Sequence, residues 1–269
     1  MSRIIAIANQ KGGVGKTTTA INLGACLAVH EKKTLVIDTD PQGNATSGLG
    51  LVKDEVETSV YDVLTGDTPL EDVIVPHVHF PFLDVAPATR DLVGAEVELV
   101  NKRGRETILR RALEPIRDRY EYILIDCPPS LGLLTLNTLS AADAVLIPIQ
   151  CEFYALEGLS QLLNTVTLVQ KNLNPKLQIE GVLLTMYDGR LNLSRQVADE
   201  AKEYFGPKVY RTTIPRNVRI AEAPSFGKPI VLYDVLSVGA KSYLALAKEV
   251  ISRKVANAAA PAAAGAGAQ

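Results

Sequence analysis

A glycine-rich stretch near the N-terminus constrains the fold of this chain more than any other feature. It reads N-Q-K-G-G-V-G-K-T-T over residues 9–18, after an apolar run at residues 4–8 and before a helix-like run that begins near Ala20. A strand, a glycine loop and a helix in this order bind phosphate, because backbone N–H groups and the helix N-terminus converge on an anion. The alternative is a glycine-rich turn before an ordinary helix, and the G-K-T sequence in this context favours the phosphate loop. The predicted nucleotide contacts are Gly12, Gly13, Val14, Gly15, Lys16, Thr17 and Thr18.

A second motif, Y-I-L-I-D-C-P-P-S at residues 122–130, supports this prediction. An apolar run that ends in aspartate is common by itself, but beside a phosphate loop it indicates a Walker-B strand. Lys16 is then expected to reach the β- and γ-phosphates, and the Thr17 hydroxyl to bind Mg²⁺. Asp126 is expected to hold the ion through a bound water. The turn that follows makes residues 126–133 a candidate switch loop.

Two further aspartates follow a second apolar run. Residues 34–37 read T-L-V-I, and the sequence continues D-T-D-P-Q-G-N through residue 44. Ligands of parallel α/β sheets bind at the carboxyl ends of the strands, so Asp38 and Asp40 should lie close to the phosphate loop. We expect Asp38 to support the water shell of the metal and Asp40 to orient a water or contact that shell. The alternative is a solvated turn built from Asp, Pro and Gly.

The rest of the chain alternates apolar runs with helix-like patterns, which is typical of a parallel sheet covered on both faces. The predicted fold class is a single α/β P-loop NTPase domain over residues 1–255, with a mostly parallel, doubly wound sheet. Residues 256–269 are rich in Ala, Gly and Pro, and we expect a disordered tail. Further strands are predicted at residues 83–87, 144–150, 179–185 and 209–214. Helices are predicted at residues 59–64, 105–119, 156–170, 193–205 and 237–255.

Composition limits the function further. The 269 residues are 47% hydrophobic and carry a net charge of −2, so any binding to nucleic acid or to an anionic membrane requires a local basic patch. Cys26, Cys127 and Cys151 form no C-x-x-C pair and are interpreted as buried or semi-buried thiols in a reducing cytosol rather than as metal ligands. His77 and His79 lack nearby ligands and are assigned to an exposed loop. With neither a signal sequence nor a long apolar run, the expected location is the cytoplasm.

One departure from the general phosphate-loop pattern points to a family. Gln10 occupies the position where glycine is usual, and Lys11 follows it, as in the deviant P-loop ATPases. Together the motifs resemble the ParA/Soj family of chromosome- and plasmid-partitioning ATPases, over nearly all of residues 3–254. The remaining matches are D-T-D-P-Q-G-N-A-T-S-G-L-G at 38–50, D-C-P-P-S-L-G at 126–132, C-E-F-Y-A-L-E-G-L at 151–159 and I-P-R-N-V-R at 214–219.

The resemblance implies ATP and Mg²⁺ as cofactors, an ATP-dependent sandwich homodimer, and non-specific binding of double-stranded DNA by that dimer. It also implies slow hydrolysis stimulated by a ParB-type, centromere-binding partner, in the cytoplasm on the nucleoid. By position, Lys11 is the signature lysine that contacts nucleotide bound by the partner subunit, and with Lys16 it joins the catalytic set. Asp40 is the catalytic residue that orients the attacking water, and Pro215 and Asn217 contact adenine.

Two departures from relatives sharpen these expectations. The chain starts at the first strand, without the N-terminal helix-turn-helix extension of larger plasmid ParA proteins, so operator-specific repression is not expected. After Val255 it offers no bulky apolar or basic residues, so the amphipathic membrane helix of MinD is not expected either. No membrane partner is therefore predicted.

Basic residues concentrate in the last third of the chain. Arg190 and Arg219 are the candidate DNA contacts, because both leave loops that approach the nucleotide and both match family positions implicated in DNA contact. A scattered solvated face is the alternative for such residues. Positioning of another cellular cargo on the nucleoid also stays open, and an adjacent ParB-like gene would favour partitioning. A metabolic kinase or synthetase lacks a substrate-pocket signature in this sequence.

Overall fold

The computed structural model of the chain describes residues 2–152 and 157–259. At its centre lies a sheet of six strands, all parallel, in the order β3-β2-β4-β1-β5-β6. This confirms the predicted fold class of a single α/β P-loop domain. The strands are β1 (Arg3–Ile7), β2 (Thr34–Asp38), β3 (Leu83–Ala86), β4 (Tyr122–Asp126), β5 (Ala144–Gln150) and β6 (Gln178–Thr185).

Helices connect the strands and cover both faces of the sheet. The α-helices are α1 (Lys16–Val29), α2 (Asn44–Gly48), α3 (Val60–Thr65), α4 (Leu92–Glu98), α5 (Ile108–Leu113), α6 (Leu133–Ala141), α7 (Glu157–Asn172), α8 (Asn192–Phe205), α9 (Val218–Glu222), α10 (Ile230–Tyr233) and α11 (Val238–Ala259). Single 3-10 turns lie at Lys53–Glu55, Leu70–Val73, Leu99–Asn101, Arg105–Thr107, Arg117–Arg119, Gly206–Lys208 and Ala223–Phe226.

Two apolar cores form because successive side chains of a strand point to opposite faces of the sheet. In β1, Ile4 and Ala6 join the core beneath α3 to α8, whereas Ile5 and Ile7 join the core beneath α1, α10 and α11. All four are essentially inaccessible to solvent. Burial on both faces explains why the strands read as continuous apolar runs in the sequence.

The strand order brings the predicted site residues to one edge. Because β4 lies between β2 and β1, Asp126 is in register with Asp38 on one side and with Ile7 on the other. The chain leaves β1 at Ile7 directly into the phosphate loop. Three strands therefore deliver their carboxyl ends, and the residues that follow them, to a single location.

Two secondary-structure predictions were wrong. The helix expected at residues 105–119 is α5 alone, flanked by 3-10 turns, because Pro115 has no N–H to donate and excludes a continuous helix around it. The strand expected at residues 209–214 makes only isolated bridges to the edge of β6 and its neighbouring loop. Its central N–H groups, those of Arg211 and Thr212, donate instead to the Glu249 carboxylate at 2.9 and 3.0 Å.

The last helix extends beyond its predicted end. It was expected to stop at Val255, with a disordered tail from residue 256, whereas α11 continues to Ala259. The remainder of the predicted tail, residues 260–269, lies outside the described residues, as do residues 153–156 of the C-E-F-Y-A-L-E-G-L motif. Among the described parts of the chain, every helix is too short or too polar to cross a membrane.

Candidate nucleotide-binding site

The loop between β1 and α1 has the backbone that its glycines were expected to provide. Gly13 and Gly15 have φ angles of 73° and 86°, in the left-handed region that L side chains rarely adopt. Lys16 is the first residue of α1, a helix of 14 residues, so the loop ends at the N-terminus of that helix. The N–H groups of the first turn are thereby directed at whatever anion occupies the loop.

Two polar side chains hold this loop in place. The buried Asn9 amide donates to the Pro148 carbonyl at 2.7 Å, and its oxygen accepts from the Lys11 N–H at 3.0 Å. On the other side, the Thr185 hydroxyl donates to the Val14 carbonyl at 2.9 Å. These contacts fasten the loop to β5 and β6. Sequence reasoning missed both Asn9 and Thr185 as positioning residues.

The two lysines of the loop differ in environment. Lys16 is 7% exposed, and its ammonium donates to the Lys11 carbonyl at 3.2 Å. Burial lowers the pKa of Lys16, an effect opposed by the negative charges of Asp126 and Asp40. The Lys11 ammonium, in contrast, has no hydrogen bond or ion pair within residues 2–152 and 157–259. Lys16 belongs to its own cleft, and the Lys11 side chain is free to reach elsewhere.

Asp38, at the end of β2, is fully buried and fully satisfied. Its carboxylate accepts from the Thr46 hydroxyl at 2.7 Å, the Thr46 N–H at 2.8 Å and the Asp40 N–H at 3.1 Å. Burial raises the pKa of Asp38 to about 6 in spite of these donors, which favour the charged form. The structure thus makes Asp38 an anchor for the following turn. Thr46 is a further positioning residue that the sequence did not reveal.

Asp126, at the end of β4, is equally buried, but its carboxylate is unpartnered in the part of the chain that the structure describes. Neither of its carboxylate oxygens has a hydrogen-bond partner among the described residues. Burial, and next the charge of Asp38, raise the pKa of Asp126 well above its ordinary range. The Thr17 hydroxyl and the Lys16 ammonium oppose that rise, the hydroxyl lying close without a well-formed hydrogen bond.

An unsatisfied buried carboxylate beside a threonine hydroxyl fits a hydrated divalent cation. Mg²⁺ usually keeps several waters and takes only one or two protein ligands plus phosphate oxygens. Thr17 and Asp126 are the groups that would hold the ion.

Asp40 lies in the turn that leaves β2. Its carboxylate accepts from the Gln42 N–H at 2.9 Å, and the side chain is 6% exposed. The intervening Thr39 ties this turn to β4, because its hydroxyl donates to the Asp126 carbonyl at 2.6 Å. Asp40 acts on the pKa of both Lys16 and Asp126, so the structure places these three charged groups together, as the sequence predicted.

A cavity of about 300 Å³ adjoins the start of α1. Pro215 and Asn217, the predicted adenine contacts, both line it. Asn217 also caps α9 by accepting from the Ile220 N–H at 3.3 Å. The cavity is mainly apolar, which suits the faces of a base. Its other lining residues are Thr18, Thr185, Met186, Ile214, Arg216, Ile220, Ala221, Pro224 and Tyr243.

The two predicted DNA contacts lie on the surface, each with carboxylate partners. Arg190 follows β6, is 89% exposed and forms a bidentate pair with Asp188 at 2.7 and 2.9 Å. The Arg190 guanidinium lowers the pKa of Asp188 to about 2. Arg219, in α9, is 55% exposed and contacts Glu222 at 3.1 Å and Asp234 at 3.6 Å.

The cysteines and histidines are located as expected. All three cysteines are free and buried, and burial raises the pKa of Cys26 and Cys151 to about 12. Their interpretation as buried thiols is confirmed. His77 and His79 are exposed in the loop before β3, where both have left-handed backbone angles. The His79 Nε2 lies 2.8 Å from the Gly227 carbonyl and 2.9 Å from that of Leu49.

A phosphate loop, a Walker-B aspartate and a base cavity on an all-parallel sheet define a P-loop ATPase. A family model described as an AAA domain matches residues 2–179. The chain is 64% identical over 250 residues to the sporulation initiation inhibitor protein Soj of Bacillus subtilis, covering 93% of this chain and 98% of that protein. It is 58% identical over 253 residues to the chromosome partitioning protein ParA of Myxococcus xanthus, covering 94% and 89%. The chain belongs to the ParA/Soj family of chromosome-partitioning ATPases, as its motifs predicted.

Solved structures with other functions share the fold. Cobyrinic acid a,c-diamide synthase from Mycobacterium smegmatis, with bound ADP and magnesium, superimposes with a TM-score of 0.83 and 38% identity, over 96% of this chain and 97% of that one. The cell division ATPase MinD of Pyrococcus furiosus gives a TM-score of 0.78 and 29% identity, over 94% and 100%. Because a synthase and a cell-division ATPase share this framework, the fold alone does not select a function.

Proposed function

We propose that this protein is an ATPase that dimerises around ATP, binds DNA without sequence preference as the dimer, and segregates chromosomes or plasmids with a ParB-type partner. The observation that carries the proposal is the difference between the two lysines of one phosphate loop. Lys16 is buried in its own cleft, whereas the Lys11 ammonium has no partner among the described residues. A free lysine on the rim of the site is available to nucleotide held by a second copy.

Within one subunit, the groups are arranged for phosphoryl transfer to water. Lys16 and the N–H groups at the start of α1 bind the phosphates, and the cavity lined by Pro215 and Asn217 receives the base. Bound Mg²⁺ would supply charge neutralisation at the β- and γ-phosphates, held by Thr17 and by Asp126 through water. Asp40 orients the attacking water. Catalysis of this reaction depends mainly on positioning and electrostatics, so a misplaced Asp40 slows it without preventing binding.

DNA binding by the dimer requires a local basic surface. A chain of net charge −2 needs a concentrated basic surface, and a dimer presents two copies of Arg190 and Arg219. Each arginine must exchange its carboxylate partner for a phosphate, which costs little because exposed pairs contribute only about 0–1 kcal/mol. ATP then controls DNA binding by controlling dimerisation. Stimulation of slow hydrolysis by the ParB-type partner returns the protein to its monomeric form and releases it from the nucleoid.

The test uses Asp40→Ala to separate binding from hydrolysis. We expect this variant to bind ATP, to elute as a dimer in gel filtration only when ATP is present, and to co-sediment with DNA only as that dimer. Its hydrolysis rate should fall by about a hundredfold, a typical loss for one group that acts on the transition state. Adding Lys11→Ala to the same chain should keep ATP binding but leave the protein monomeric and off the DNA.

Two results would contradict the proposal. Wild-type turnover in Asp40→Ala would remove this residue from the catalytic set. A Lys11→Ala variant that still dimerises with ATP would exclude the sandwich arrangement.

A further inference from the structure

A strongly basic segment lies in the middle of the chain, outside the last third in which the sequence predicted the DNA contacts. Residues 102–119 contain seven basic and three acidic side chains, a net charge of +4 in a chain whose total is −2. Neither the nucleotide site nor the proposed DNA contacts use this segment. Such a local excess marks a surface suited to an acidic partner.

The segment forms one wall of a cavity. This cavity has a volume of about 430 Å³, between α3 and the 3-10 turn at Leu70–Val73 on one side and α5 on the other. Its size falls within the range of about 300–1,000 Å³ that is usual for ligand pockets. The floor is apolar, formed by Val63, Leu64, Leu70, Ile108, Ala112 and Ile116, with Pro69 and Pro115 at the sides.

The rim carries positive charge that the described protein leaves uncompensated. Arg103 and Arg111 line the cavity and are exposed, and neither makes a hydrogen bond or ion pair with another described residue. Of the two acidic residues on the rim, Glu71 is already paired with Arg119 at 3.1 Å. Within the described part of the chain, the unpaired charges above the apolar floor are therefore these two guanidinium groups and the Asp67 carboxylate. Lys102 also lines the cavity and donates to the Thr65 carbonyl.

The α5 wall is rigidly held. The Asn137 side chain accepts from the Leu109 N–H at 3.2 Å and donates to the Arg105 carbonyl at 2.6 Å. The Ser140 hydroxyl donates to the Glu106 carbonyl at 2.6 Å. Both side chains belong to α6, so one buried and two partly buried hydrogen bonds connect this wall to a helix of the core. A preformed site loses little entropy when it is filled.

We propose that this cavity is a docking site for a short segment of a partner protein in which a bulky apolar side chain is flanked by acidic ones. The apolar side chain fills the floor, and the acidic groups pair with Arg103 and Arg111, which bind carboxylates bidentately. Duplex DNA fits the charge but not the shape, since a phosphate backbone presents nothing apolar to bury. The site is separate from the arginines that the DNA proposal uses.

The test is an array of short immobilised peptides probed with the full-length protein. Each peptide carries one leucine, isoleucine, phenylalanine or tryptophan between acidic residues, and a matched array carries lysine in place of every acidic residue. We expect retention by the acidic set alone. The Kd of the retained peptides, measured by fluorescence anisotropy, should rise by about tenfold in the double variant Arg103→Glu/Arg111→Glu, because two charge contacts become repulsive.

The matched control is one residue away. Arg110 lies on the same helix and is exposed, but it donates to the Leu173 carbonyl at 3.2 Å and does not line the cavity. Arg110→Glu should leave the peptide Kd unchanged, whereas Arg111→Glu alone should raise it. Circular dichroism and ATP binding confirm that each variant is folded.

Three outcomes would overturn the proposal. The first is that no acidic peptide is retained, or that retention does not change when Arg103 and Arg111 are replaced by glutamate. The second is equal retention by the lysine array, which would mean that the apolar floor alone captures peptides. The third is a double variant that keeps its peptide affinity but loses DNA affinity, which would make this surface part of the nucleic-acid interface.

Discussion

The aspartates at the ends of β2 and β4 and the arginines proposed to contact DNA, Arg190 and Arg219, have opposite environments. Asp38 and Asp126 are fully buried, and the two oxygens of Asp126 have no partner among the described residues. Arg190 and Arg219 are exposed and paired with carboxylates. The first pair is built by the strands of the sheet, the second by a loop and a short helix outside it.

This difference separates two ways of preparing a binding site. A buried carboxylate without partners is costly to the folded protein, so the ligand that satisfies it is bound with corresponding strength. An exposed ion pair contributes little and is easily exchanged, and its strength depends on salt. ATP binding should therefore be strongly reduced by single substitutions at the nucleotide site and only weakly reduced by salt. DNA binding by the arginine surface should be weakly reduced by single substitutions and strongly reduced by salt.

Removal of the buried ammonium should have the largest effect. Lys16→Ala eliminates the charge that neutralises phosphate in its own cleft, and loss of one partner of a desolvated charge pair costs about 2–5 kcal/mol. ATP binding, measured by isothermal titration, should become undetectable. Lys11→Ala is the control, because it alters the same loop and the same charge but should keep ATP binding. Equal loss in both variants would mean that the two lysines do not differ in role.

A smaller effect is expected in the pH dependence of stability without nucleotide. The pKa of Asp38 is raised by burial to about 6, from an ordinary value of about 4, so the folded state holds a proton that the unfolded state has lost. The stabilisation is present below about pH 4 and is lost as the pH rises through about 6. The loss should amount to about 2–3 kcal/mol of unfolding free energy. Asp126 shifts in the same direction.

Urea unfolding of the nucleotide-free protein at several pH values measures this loss. Asp38→Asn should make the profile less steep across that window, while the contribution of Asp126 remains. Asp118→Asn, at an exposed position without an ion pair among the described residues, should leave it unchanged. A profile of Asp38→Asn that matches the wild type would show that Asp38 titrates normally.

The smallest effect per substitution is expected on the arginine surface. Arg190→Glu or Arg219→Glu should each weaken DNA binding by about tenfold at moderate salt while ATP-dependent dimerisation survives. Wild-type affinity should fall steeply with salt and be indifferent to DNA sequence. The control is Arg119→Glu, since Arg119 is exposed and has a carboxylate partner at the same 3.1 Å as Arg219. Salt-insensitive binding, or full affinity in the combined Arg190 and Arg219 variant, would locate the DNA surface elsewhere.

The buried nucleotide site could be predicted because each of its parts is a short, continuous motif in the sequence. The phosphate loop, Asp38 and Asp126 each follow an apolar run, and parallel strands collect their carboxyl ends at one edge. The supports of the site could not be predicted in this way. Asn9 binds the carbonyl of Pro148, and Thr185 binds that of Val14, contacts that depend on which strands become neighbours.

The outer parts were harder to predict because long-range contacts override local pattern. Residues 209–214 have the composition of a strand, but Glu249 of α11 takes the two N–H groups at its centre. The sequence of the segment itself gives no sign of these hydrogen bonds to Glu249. The broken helix at residues 105–119 is different, since Pro115 was visible in the sequence and its effect on a helix is local.

The position of β4 between β1 and β2 has a consequence for synthesis of the protein. The first two strands emerge early but do not pair with each other. They are joined only through β4, which begins at Tyr122, long after β2 ends at Asp38. A nascent chain that ends before β4 therefore has a phosphate loop but neither its lateral support nor the second carboxylate. Pairing over such separations is slow to form. We expect ATP with Mg²⁺ to bind the completed edge more tightly than an unfinished one, and so to stabilise finished molecules over incomplete ones by mass action.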